Sequence, residues 1–185
     1  MEQVKSYLRN TYDLSSYQVA QIFFLLKTIA SELSKIAIMS ILFHDKISLY
    51  FFALFVMLFI RSAMGGLHFY TYAGCLITSI LYLWMSVYVL PCIAIPKYLQ
   101  ILALLLCILI CNYVGPITSK YRPKECEKHF DQCKKNATVF LFLYTIILYI
   151  IPENNYLNVG FWVIILHSLQ LIVAKIRKKG VEKND

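Results

Sequence analysis

A histidine and a cysteine, His68 and Cys75, form the one place in this chain where a base and a nucleophile lie close in sequence. A thiol attacks only as the thiolate, and an imidazole nearby can take its proton. The stretch that carries the pair, residues 61–75, reads RSAMGGLHFYTYAGC. Cys75 follows Ala73-Gly74 and opens an apolar run, so the first turn of a helix is expected there. Unpaired amides in that turn favour a thiolate and can also serve an acyl oxyanion. On an unbroken helix the two side chains would share a face but stand ~10 Å apart. Pairing therefore requires His68 to lie in a loop that folds back, which Gly65, Gly66 and Gly74 make feasible. The plainer alternative is a snorkelling His68 and a buried Cys75, and spacing alone leaves both open.

Other chemistry-bearing residues are less concentrated. Cys126-x2-His129-x3-Cys133 holds three metal-ligand types but no fourth, in a charged segment read as a loop, so neither a metal nor another cofactor is expected. A Cys126–Cys133 disulfide is not expected if that loop faces the cytoplasm. Cys92, Cys107 and Cys111 lie in apolar runs and read as packing residues. His167 reads as a packed, hydrogen-bonded histidine of the last span, and His44, beside Asp45, as interfacial. Tyr50-Phe51-Phe52 reads as a lipid-facing stripe. Glu32 and Lys35 are spaced for an i,i+3 ion pair, with reception of substrate by the same polar stripe as the alternative.

The elements that must position His68 and Cys75 are membrane spans. Of the 185 residues 59% are hydrophobic and 15% charged, with a mean hydropathy of +0.64, against about 45–50% and about 25% in an ordinary soluble domain. A span needs ~20 apolar residues. The uncharged runs 98–119, 136–152 and 154–174 meet that need. The longer run 62–96 reads as a loop or re-entrant front followed by a span over residues 74–95. Run 47–60 is short, so Lys46 and Arg61 would have to snorkel outward. Between Gln18 and Phe43 the polar residues Gln21, Lys27, Thr28, Ser31, Glu32 and Lys35 form one stripe on an otherwise apolar helix. Its second half, residues 36–43, is apolar all round and favours a span. The expected fold is all-α: one polytopic membrane helical bundle over residues 1–185, with about six transmembrane helices and an amphipathic N-terminal helix. The N-terminus has no apolar core typical of a cleaved signal peptide, so the spans themselves are expected to direct insertion.

Charge orients this bundle. The net charge is +8. Lys120, Arg122, Lys124, Lys128, Lys134 and Lys135 follow one span, and Lys175, Arg177, Lys178 and Lys179 follow the last, whereas the loop at 152–158 carries only Glu153. The positive-inside tendency places the basic loop, both termini and the 61–74 segment in the cytoplasm, against anionic membrane lipids. The scattered basic residues do not form the stripe expected for nucleic-acid binding.

The string 61–75 fits the pattern R-x4-G-x-H-x6-C through Arg61, Gly66, His68 and Cys75. In this it resembles the accessory gene regulator B (AgrB) family of membrane cysteine endopeptidases of quorum sensing. The likeness extends to chain length, the amphipathic N-terminal helix, the Gly-Gly-x-His signature after a short span, and the basic loop that opens on Gly115-Pro116-Ile117. The chain departs from the family in its aromatic residues Phe69, Tyr70 and Tyr72, and in having Arg122-Pro123 where a Lys-Pro step is usual; both bear on substrate preference. The resemblance implies that His68 and Cys75 are the catalytic pair and Arg61 and Gly66 supporting positions. It also implies that the partner is an AgrD-like precursor peptide, cleaved through a thioester and released as a cyclic product, and it leaves a homodimer open. A transporter or a non-catalytic membrane scaffold are the alternatives; the first calls for paired intramembrane charges or repeated broken helices, the second for no chemistry at Cys75.

Overall fold

The structure, a computed structural model, describes residues 15–66, 71–117 and 127–182. The described residues are helical apart from short connections, with an isolated bridge between Gly65 and Ile117. The chain divides into two compact units, Met1–His44 and Asp45–Asp185.

The first unit contains helix α1, Ser16–Leu42. Ser15 opens it with a capping box: its hydroxyl accepts the N–H of Gln18, and the Gln18 side chain accepts the N–H of Ser15. The Glu32–Lys35 pair expected from spacing is present at 2.6 Å. α1 is not among the candidate membrane spans. Lys27, Glu32 and Lys35 interrupt its long apolar windows, and its apolar second half is eight residues, about 12 Å of helix, well short of the ~30 Å hydrocarbon core. The expectation of about six spans is thus met by five among the described residues.

The second unit contains those five. α2 is Ile47–Met64, α3 is Tyr72–Trp84, α4 is Lys97–Val114, α5 is Glu127–Ile150 and α6 is Asn155–Glu182. The stretches long and apolar enough to cross a membrane are His44–Met64, Tyr72–Cys92, Lys97–Val114, Phe130–Ile150 and Asn155–Arg177. Consecutive helices run antiparallel. One end of the unit collects Met64, Cys75, Val114, Phe130 and Lys175, and the other Asp45, Cys92, Lys97, Ile150 and Asn155. Five crossings place the start of α2 and the end of α6 at opposite ends, so both termini share a side only if α1 crosses as well.

Several sequence boundaries shift for physical reasons. The short run 47–60 lies within a 21-residue span, and its flanking charges do not snorkel away from the protein. Lys46 Nζ sits 4.6 Å from the centre of the Tyr88 ring, a cation–π contact, and Arg61 turns toward Cys75. The charged segment read as a loop is helical from Glu127 onward, and the basic cluster 175–179 continues α6 instead of forming a tail. Tyr50-Phe51-Phe52 is not one stripe, because successive helical residues point about 100° apart. Tyr50 is fully buried, Phe51 is half exposed, and Phe52 packs edge-on against Tyr156.

α3 does not end at Trp84. A π-helical turn, Met85–Val89, and a 3-10 turn, Leu90–Cys92, carry it to the far end. Pro91 explains the change, since it has no N–H for the carbonyl of Val87 and its ring presses on that carbonyl. The N–H of Leu90 reaches back to Met85, and Ser86 Oγ donates to the carbonyls of Tyr82 and Leu83.

α6 is the central helix. It packs on α2 and α4 and buries Val159, Phe161, Val163, Ile164 and Leu171. The outer surfaces carry large apolar side chains such as Phe55, Leu109, Tyr149 and Ile176, as a lipid-facing surface requires. Gly160 brings α6 against α5 and α2: a Cβ there would collide with the Tyr144 hydroxyl, and it would stand 3.0 Å from Phe52. That hydroxyl is itself fixed by donating to the carbonyl of Leu157 at 2.7 Å.

Gly160→Ala should therefore destabilise the bundle by about 1–3 kcal/mol, the usual cost of overpacking. Unfolding in detergent micelles, followed by circular dichroism, should show a lower midpoint. An unchanged midpoint would show that Tyr144 moves aside at no cost.

Candidate active site at Cys75

Thr71 sets the start of α3. Its Oγ1 accepts the N–H of Gly74 at 3.1 Å, and its carbonyl accepts the N–H of Cys75 at 3.1 Å, the arrangement of an N-cap threonine. Cys75 is the fourth residue of the helix, still in the turn where the helix dipole favours an anion. The expectation that unpaired amides beside the thiol would also serve an oxyanion is corrected for Gly74 and Cys75, whose N–H groups Thr71 takes.

Cys75 lines a small cavity with Arg61 and Met57 of α2, Thr78, Ser79 and Tyr82 of α3, and Gln170 of α6. Its volume is about 10 Å³, room for about one water-sized group. Two of the hydroxyls there already have acceptors: Thr78 donates to the carbonyl of Gly74 at 2.8 Å and Tyr82 to that of Val163 at 2.5 Å. Arg61 is in the last turn of α2, and its charge enters the cavity that Cys75 borders.

Gly65 ends α2 with φ 72°, a left-handed conformation that glycine adopts without steric cost. A Cβ at Gly65 would collide with the carbonyl oxygen of Ile117, and the N–H of Ile117 donates to the carbonyl of Met64 at 3.0 Å. The break after α2 is thus fastened to the segment after α4. Gly66 lies over the cavity wall, where a Cβ would stand 3.6 Å from Arg61 Nε and 3.6 Å from Gln170 Oε1. Of the four residues of the sequence pattern, Arg61 and Cys75 share the cavity and Gly66 borders Arg61. His68 lies outside the described residues, as do Lys5, Arg9, Lys120, Arg122, Pro123, Lys124 and Cys126.

Gln170, Tyr82, Thr78 and Ser79 are site neighbours that sequence reasoning did not find. Gln170 had a signal, since an amide flanked by Leu169, Leu171 and Ile172 in a membrane span is costly unless something uses it. The other three carry none, being ordinary helix residues one and two turns beyond Cys75.

The remaining candidates divide. Cys107 and Cys111 are buried, as expected of packing residues. Cys92 is exposed at the far end of α3, where its thiol donates to the carbonyl of Tyr88, so the packing reading is corrected there. Cys133 is on α5, and with Cys126 and the His129 side chain undescribed the trio lies partly outside the described residues. His167 is packed, at 1% exposure, but neither ring nitrogen has a hydrogen-bond partner among the described residues, against the expectation of a hydrogen-bonded histidine.

The two ends of the five-helix unit differ in charge. At the Cys75 end, Lys175 Nζ donates to the carbonyl of Tyr113 at 3.0 Å and lies 4.6 Å over its ring. Lys134 Cε stands 3.2 Å from where a Cβ on Gly115 would be. Both cations thus gather on the carbonyl end of α4, where the helix dipole favours them. At the opposite end Asp45 accepts the Tyr88 hydroxyl, Lys97 Nζ donates to the carbonyl of Ile151 at 2.9 Å, and a cavity of about 370 Å³ opens between residues 91–97 and 151–158.

The family model for Accessory gene regulator B matches residues 1–171. An AgrB-like protein of Clostridium beijerinckii is 40% identical over 75 residues, which are 40% of this chain and 38% of that protein. The matched part thus spans well under half the length of that relative. No solved structure matches the chain. Since the family match covers residues 1–171 of the 185, the chain belongs to the accessory gene regulator B family.

Proposed function

We propose that the chain is a membrane cysteine endopeptidase that processes a small signal-peptide precursor of the AgrD type. The observation that carries this reading is the placement of Cys75 in the first turn of α3, in a water-sized cavity shared with the Arg61 guanidinium. His68 takes the thiol proton. The Cys75 sulfur then adds to a peptide carbonyl, the C–N bond breaks, and the imidazolium returns its proton to the departing amine. The acyl group stays on Cys75 as a thioester. A thiol or hydroxyl within the peptide attacks this thioester, releases the enzyme and closes a thiolactone or lactone. One thioester is exchanged for another in the thiol case, so no ATP is consumed in that step.

The same reading assigns a use to the charge asymmetry. Lys134, Lys135, Lys175 and Arg177 cluster at the Cys75 end, which suits a precursor with an acidic segment beyond its scissile bond and speeds the encounter. By the positive-inside tendency this end is cytoplasmic, where a newly made precursor is found.

Cys75→Ala and His68→Ala should each abolish precursor cleavage in membranes while leaving the protein inserted. The double variant should be no worse than either single one, because nucleophile and base act as a unit. Normal cleavage by Cys75→Ala sinks the assignment.

For orientation, cysteines introduced beside Lys120 and Lys178 should be protected from an impermeant thiol reagent in intact cells, and one beside Asn155 should react. The opposite pattern would place the site outside the cell.

A further inference from the structure

Acyl transfer to Cys75, as just proposed, creates a negative oxygen that needs donors. Several of those around the thiol are already committed, while the Ser79 hydroxyl and the Arg61 side chain also line the cavity. The N–H groups of Gly74 and Cys75 go to Thr71. The hydroxyls of Thr78 and Tyr82 go to the carbonyls of Gly74 and Val163. Against this, the Gln170 amide borders the same cavity, and among the described residues its side chain makes no hydrogen bond. Its Oε1 faces Gly66, whose lack of a side chain leaves that edge of the amide uncrowded. The cavity admits about one water-sized group, the size of a carbonyl oxygen.

We propose that the side-chain amide of Gln170, projecting from α6 into the Cys75 cavity, is the hydrogen-bond donor that binds the scissile carbonyl oxygen and holds it as the tetrahedral oxyanion. This rests on Cys75 being the nucleophile. The sulfur–carbon bond forms, the carbonyl π pair moves to oxygen, and the oxygen takes the Nε2–H bond of Gln170 with the Arg61 charge beside it. When the C–N bond breaks, the pair returns to rebuild the carbonyl of the thioester, and the amide resets without gaining or losing a proton. A glutamine suits this place better than a second cation. It donates without holding charge in a low-dielectric site when no oxyanion is present.

The test uses two reagents that attack one thiol by different routes. Acylation by p-nitrophenyl acetate passes through a tetrahedral oxyanion, whereas alkylation by iodoacetamide does not. The full-length protein in detergent is treated with each, and modification of Cys75 is followed by mass spectrometry in the parent chain, Gln170→Leu and Gln170→Glu. Removal of an oxyanion donor costs about 10²–10³ in rate. Acylation of Cys75 should fall by that order in Gln170→Leu and at least as far in Gln170→Glu, while alkylation stays within about twofold of the parent. Precursor cleavage should fall in parallel with acylation. Unchanged acylation in Gln170→Leu overturns the proposal, and so does an equal fall in both reactions, which would make Gln170 a support for the thiol or the fold. If Cys75→Ala still cleaves precursor, or p-nitrophenyl acetate acylates parental Cys75 no faster than Cys92, the peptidase reading itself fails and this inference with it. If Cys75→Ala is inactive and Gln170→Leu cleaves at the parental rate, the Gln170 assignment alone fails.

Discussion

α2 stops at Met64 with a carbonyl its own helix does not claim, and the N–H of Ile117 claims it at 3.0 Å. In a bilayer every interrupted helix leaves backbone groups that hydrocarbon cannot solvate, at a cost of several kcal/mol each. The chain can therefore leave helical geometry near the membrane only where another segment supplies partners. Ile117 supplies one here, and Gly65 is the residue that fits, because its φ of 72° and its close approach to Ile117 leave no space for a side chain. Much of the site follows from this contact. It fixes where the chain departs from α2, lays Gly66 beside Arg61 and Gln170, and ties the departure point of the His68 segment to the first residues of the basic loop.

The polar groups of the interior are distributed around that contact. Arg61, in the last turn of α2, lines the same cavity as Cys75. Gln170 contributes an amide one turn beyond His167, and Tyr82 donates to a backbone carbonyl of the same helix. α6 is the most enclosed of the five described spans, and it carries Gln170, His167 and the carbonyl that Tyr82 meets. The combination is coherent: excluded from water, each dipole and charge acts more strongly on what enters the cavity, and a central helix held by neighbours on several sides keeps them in place. The opposite end of the unit has the larger opening, lined by Cys92 and Lys97 among others, but there the Cys92 thiol donates to the carbonyl of Tyr88, and Lys97 and Asn158 are bonded to the carbonyls of Ile151 and Pro91.

How far the sequence revealed this depended on whether the signal was local. The spans of α4, α5 and α6 were legible because hydropathy is a sum over one segment, and the first-turn position of Cys75 was legible because Gly74 and the apolar run flank it. The inward turn of Arg61 was not, since the same arginine at a span end snorkels outward when no neighbour offers a site; only the packing of α2 against α3 and α6 decides. Gln170 escaped notice because its importance comes from Cys75, on another helix and far away in sequence. Lys46 looked like a flank because its partner, the Tyr88 ring, lies on another helix, and their contact depends on how α3 winds. The helical reach of residues 127–135 was hidden because charge was read as loop, though a charged turn extends a helix readily once it leaves hydrocarbon. α1 meets no length-and-composition criterion for a span, because a polar stripe precedes its eight apolar residues.

The π-helical turn at Met85–Val89 gives α3 one more residue per turn than the α-helix around it. That extra residue works as a phase shifter between the two halves of the span. Below it, the faces of Cys75, Thr78 and Tyr82 are set by α2 and α6. Beyond it, Tyr88 and Cys92 are turned by about 100° from where an unbroken helix would carry them. A single-residue insertion in a transmembrane helix would ordinarily scramble every contact downstream of it. Here the bulge absorbs the change at one place, with Ser86 serving the displaced carbonyls. Across descendants of this sequence, residues can therefore be gained or lost at 85–89 and the far end of the span remodelled, while the half that holds the thiol keeps its register.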